Sequence, residues 1–69
     1  METIYVYLPD EGTDVWAPVD AMRVRENVYR VVDCRGEEDA VQFGVGTLVR
    51  CKPRILSGAE VLVAYETSN

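Results

Sequence analysis

Residues 3–19 read TIYVYLPDEGTDVWAPV, two apolar alternations of period two around a polar turn. Ile4, Val6 and Leu8 alternate with Thr3, Tyr5 and Tyr7, so one set faces a core and the other faces out, as in a half-buried strand. Pro9 stops that strand. The following Asp10-Glu11-Gly12-Thr13-Asp14 is turn chemistry: Pro presets φ, Gly admits positive φ, and Asp bonds its own backbone. Val15, Ala17, Val19 and Ala21 then alternate with Trp16, Pro18, Asp20 and Met22. Pro18 has no N–H to give to a ladder, which places this second strand at an edge or at a bend.

The same rhythm extends outward. After the polar connection Arg25-Glu26-Asn27, residues 28–34 (VYRVVDC) are rich in β-branched side chains and predict a third strand. Arg35-Gly36-Glu37-Glu38-Asp39 is the most polar loop, and residues 41–43 a short extended piece halted by Gly44-Val45-Gly46. A fourth strand is expected over 47–52, ended by Pro53. Residues 54–59 form a connector turning on Ser57-Gly58, residues 60–65 a fifth strand, and residues 66–69 a frayed tail. The best helical stretch, 20–26, is short and flanked by β-branched residues, and Val61-Leu62-Val63 argues against a helix after Gly58. Five short strands in one domain spanning 1–69 point to an all-β fold, a small five-stranded antiparallel SH3-like barrel. An OB-like barrel is the alternative. It usually carries a helix between strands three and four, where this chain has three Gly and an acidic loop.

At 69 residues the core is thin, and small domains often add a disulfide, a metal or a partner chain. With no His and only Cys34 and Cys51 as thiols, one chain cannot supply a four-ligand N/S zinc site. The two cysteines are expected to be small buried hydrophobes, with a disulfide as the minor reading. No cofactor is expected. The acids around Gly12 lack calcium-loop spacing. Neither a signal-peptide pattern nor a run near the roughly 20 apolar residues that span a bilayer occurs, so a cytoplasmic location without membrane contact is expected. The net charge is −5, with no base among residues 1–22 and all seven between 23 and 54. That acidity opposes generic binding to phosphate backbones or anionic lipid. Catalysis is not expected either. There is no histidine base, no G-x-S-x-G and no phosphate loop, Gly44-Val45-Gly46 is only a G-x-G, and so small a barrel rarely encloses a substrate pocket.

Asp10-Glu11-Gly12-Thr13-Asp14-Val15-Trp16-Ala17-Pro18-Val19, then Tyr29-Arg30-Val31, resembles a group of short bacterial proteins without an assigned function, whose pattern begins DEGTDVWxPV. The later parts of that pattern, F-x-x-G-x-x-V-x-C and L-S-G-x-E-x-L-V-A, stand here as residues 43–51 and 56–64. More loosely, Trp16-Ala17-Pro18-Val19 with Tyr29-Arg30-Val31 is similar to the rhythm of Tudor-type SH3-like barrels. In those barrels a segment like 46–51 precedes the rhythm instead of following it. The resemblance implies the fold and carries no ligand.

A non-catalytic protein-interaction or assembly module is the expected function, through an outward aromatic face built on Tyr5, Tyr7, Trp16 and Tyr29. The competing reading has some of these rings filling the core. Strands three and five are apolar on both faces, so either the chain wraps itself or a second chain, another protein or a homodimer partner, covers the outside. The alternative function is nucleic-acid or ribosome-associated binding through Arg30, Arg50, Lys52 and Arg54. Against it stands a plainer picture of solvated arginines paired with nearby acids.

Overall fold

The computed structural model describes residues 1–12 and 15–68, with the Glu11 side chain excepted. The expectation of an Asx turn at Asp14 therefore lies outside the described residues, as does Asn69. The chain forms five strands: β1 (Glu2–Tyr7), β2 (Trp16–Arg25), β3 (Val28–Asp33), β4 (Leu48–Leu56) and β5 (Ala59–Thr67). They close in chain order into a barrel. The fold is thus the all-β, five-stranded small barrel expected from the alternation. Four neighbouring pairs are antiparallel. An odd number of strands in up-and-down order leaves the first and last running the same way. The closing β1–β5 contact is accordingly parallel, and its ladder is the single pair Tyr5↔Val63.

Inward positions follow the period-two reading. Ile4 and Val6 on β1, Val19 and Ala21 on β2, Val31 on β3 and Val49 on β4 are all fully buried. Tyr29 joins this cluster, at 6% exposure. That corrects its placement on the outward face: its cross-strand partner is Val49, and Val31 pairs with Ala21, so Tyr29 and Val31 point inward. Arg30 and Val32 point out.

Pro18 sits in the half of β2 that pairs with β1 alone, because β3 joins β2 only from Asp20 onward. Pro53 does not end β4, which runs on to Leu56. The Cys51 amide donates to the Asn27 carbonyl (2.8 Å), on the β3 side of β4. Strand alternation puts the nitrogen of Pro53 on that same side, where no strand follows, so its missing N–H breaks no ladder bond. Past Arg50, β4 pairs with β5 only, and residues 52–62 form a two-stranded ribbon leaving the barrel wall. Its turn has Ser57 at φ 51° and Gly58 at φ 83°, the two positive values of a type I′ hairpin.

Residues 41–43 are bends instead of an extended piece. The segment between β3 and β4 returns across the barrel, where Gln42 donates to the Tyr7 carbonyl (2.9 Å) and Phe43 enters the core. A tight turn begins it, with Glu37 N–H bonded to the Cys34 carbonyl (3.0 Å). Arg35 in that turn donates to Asp20 Oδ1 (2.6 Å) and Thr3 Oγ1 (3.1 Å), and its amide donates to Asp33 Oδ1 (2.8 Å). Asp20 and Asp33 face each other across β2 and β3, so Arg35 offsets a like-charge pair.

At the other end, β5 continues through Thr67, past the point where a frayed tail was expected. Ser68 is buried, donates its amide to the Leu48 carbonyl (2.8 Å) and accepts from the Arg25 guanidinium (3.1 Å).

Candidate partner-binding groove

The strand alternation that buries Ile4 and Val6 turns Tyr5 and Tyr7 outward, and on β2 it turns Trp16 and Pro18 outward. Register sets Tyr7 opposite Trp16, and the two rings meet at 5.4 Å between centroids and 57° between planes. Tilted pairs of this kind are favoured because the positive edge of one ring meets the negative face of the other.

The ribbon then crosses this surface. By register Lys52, Arg54 and Leu56 share a face with Val63, Val61 and Ala59. Arg54 lies over the Trp16 indole, its guanidinium carbon 5.1 Å from the ring centroid. Lys52 stands over Tyr65 at 5.0 Å. Between ribbon and barrel wall an open cleft of about 590 Å³ is lined by Tyr5, Val15, Trp16, residues 54–57, Ala59 and Val61. The barrel interior is filled by its own side chains, so this cleft lies outside it, a space not expected for so small a domain. Among the described residues the Trp16 Nε1–H is buried and has no hydrogen-bond partner. An unsatisfied donor of this kind costs about 1–3 kcal/mol.

Three of the four expected interface residues, Tyr5, Tyr7 and Trp16, therefore converge, whereas Tyr29 does not take part. The expected basic strip is divided. Arg54 belongs to the groove. Lys52 stands two residues away on the same strand face. Arg50 is held by Glu66 at 3.1 Å, and Arg30 projects from β3 opposite Met22 and Leu48. Sequence reasoning missed the apolar wall supplied by Leu56 and Val61. Its signal was the pair Ser57-Gly58 between two apolar runs, which is a two-residue hairpin turn.

Cys34 and Cys51 are both buried free thiols in the core cluster. Burial pushes the Cys51 thiol up to about 11 and raises that of Cys34, so both are held neutral. Among the described residues no three His, Cys, Asp or Glu side chains gather to hold a metal ion, and no helix is long and apolar enough to cross a membrane.

Comparison with known proteins finds no matching family model, no matching curated protein and no matching solved structure.

Proposed function

We propose that this domain is a non-catalytic interaction module that engages a protein partner through the groove between the β4–β5 ribbon and the outer face of β1 and β2. The observation that carries this reading is Trp16 at the wall of an open cleft, with Arg54 over its indole and Tyr7 tilted against it. Tyr, Trp and Arg are the residue types that dominate interface energetics, and here they are held together on rigid strands. Among its described lining residues the cleft has no histidine, thiol or carboxylate, and its hydroxyls, Tyr5 and Ser57, have no such base beside them, which supports a surface that binds.

Tyr7→Ala removes an outward ring without opening the core. It is expected to reduce partner capture or change sedimentation at least several-fold more than it changes thermal stability. A protein that stays monomeric with unchanged partners after this substitution would contradict the reading. The nucleic-acid alternative predicts retention of an oligonucleotide at low salt, lost on Arg50→Glu. Two observations weigh against it: the net charge of −5, and the engagement of Arg50 by Glu66.

A further inference from the structure

The cations of this chain are not equivalent. With 12 acids to 7 bases, acidic partners are in excess. Arg35 is taken by Asp20 and Arg50 by Glu66. Among the described residues Arg23, Arg25, Arg30, Lys52 and Arg54 have no carboxylate within ion-pair distance, and what sets two of them apart is an aromatic ring beneath the charge, at Lys52 and Arg54. Their cross-strand partners are Val63 and Val61, and the acid on the ribbon itself, Glu60, is opposite Ile55 on the other face. The ribbon thus keeps two exposed cations on one face, beside a cleft with no acid among its described lining residues.

We propose that the groove takes an extended acidic peptide segment of a partner protein, with carboxylates on Arg54 and Lys52 and an apolar side chain against Trp16 and Val61. This rests on the groove being the partner site. The indole beneath it restrains the Arg54 guanidinium, a group that can bind a carboxylate with two parallel hydrogen bonds. Alternate residues of a strand lie roughly 7 Å apart, so Lys52 and Arg54 match side chains two apart on another extended chain. The walls formed by Leu56 and Val61 favour an aliphatic side chain over a nucleobase.

Trp16 is the sole tryptophan, so its emission reports on the groove directly. The probes are N-acetylated, C-amidated hexapeptides alternating Glu with Leu, Gln with Leu or Lys with Leu, together with oligothymidylate. The Glu/Leu peptide is expected to change Trp16 emission saturably, the Gln/Leu peptide to bind at least about tenfold more weakly, and the Lys/Leu peptide not to bind. The double variant Lys52→Glu, Arg54→Glu should invert the preference toward Lys/Leu, with the far-ultraviolet spectrum and denaturation midpoint confirming that it folds. Equal binding of the Gln and Glu peptides would overturn the acidic preference and leave the groove reading intact. Stronger binding of oligothymidylate would overturn the peptide partner. Silence of Trp16 toward every probe would overturn this proposal, whereas the groove reading itself is decided by the Tyr7→Ala comparison.

Discussion

Arg54, on the outgoing strand of the hairpin ribbon, lies over the indole of Trp16, at the start of β2. The contact pins the ribbon to the barrel at the wall of the open cleft. Cation–π contacts at exposed sites contribute about 0.5–1 kcal/mol, so the link should be measurable without dominating stability. Arg54→Ala is expected to lower unfolding free energy by no more than about 1 kcal/mol and to increase acrylamide quenching of Trp16. Unchanged quenching would mean the guanidinium does not cover the ring in solution.

The ribbon depends on its turn. A Cβ at Gly58 would meet nothing within 4 Å, so Gly58→Ala isolates the cost of a positive φ from any steric clash. Urea denaturation should show a loss of roughly 1 kcal/mol, and Ser57→Asn, better suited to the first position of a type I′ turn, should recover part of it. Equal stability of Gly58→Ala and the parent protein would argue against this hairpin geometry.

Asp20 holds the 34–47 segment through Arg35. The hydrogen bond from Arg35 keeps the Asp20 carboxyl below the usual value of 3.8. A depressed carboxylate pKa stabilises the fold above the unfolded value, and that contribution is lost as pH falls through the folded value. Protection factors of amides 35–43, corrected for the intrinsic pH dependence of exchange, should therefore fall below about pH 4, and Asp20→Asn should show reduced protection already at neutral pH. Protection independent of both acid and this substitution would contradict the latch.

Cys51 behaves in the opposite sense. Its thiol is pushed up to about 11 from 9.0 by burial, so the fold holds the proton that an unfolded chain would release. Stability is intact below pH 9 and is lost as pH rises toward 11, by about 2–3 kcal/mol for such a shift. Tyr29, raised by its own burial, adds in the same direction above pH 10. Cys51→Ala should flatten the alkaline limb of a pH–stability curve while lowering its plateau. In the native protein both thiols should react with a disulfide reagent only as fast as the chain opens.

Much of the barrel was legible because period two survives wherever one strand face is wet. β1 and the first half of β2 follow directly from the alternation around Pro9 and Gly12. Tyr29 and Val31 were harder, because β3 is apolar on both sides and only its pairing with Ala21 and Val49 decides which side is in. Pro53 misleads because a proline ends a strand only when its nitrogen faces a neighbour, and that depends on where β3 stops. The groove was half legible. Tyr5, Tyr7 and Trp16 follow from alternation, but Arg54 reaches Trp16 only because the ribbon folds back across β1 and β2, a long-range event that no local pattern encodes.

A partner is expected to cover the Trp16 groove and not Met22, Val24 and Val32, three other exposed apolar side chains. Photo-cross-linking in living cells tests this most directly, with benzoylphenylalanine placed in turn at Tyr5, at Val61 and at Val24. One discrete cross-linked species is expected, shared by the Tyr5 and Val61 positions and absent from Val24, with twice the chain's own mass if the partner is a second copy. Cross-linking confined to Val24, with none from Tyr5 or Val61, would contradict this.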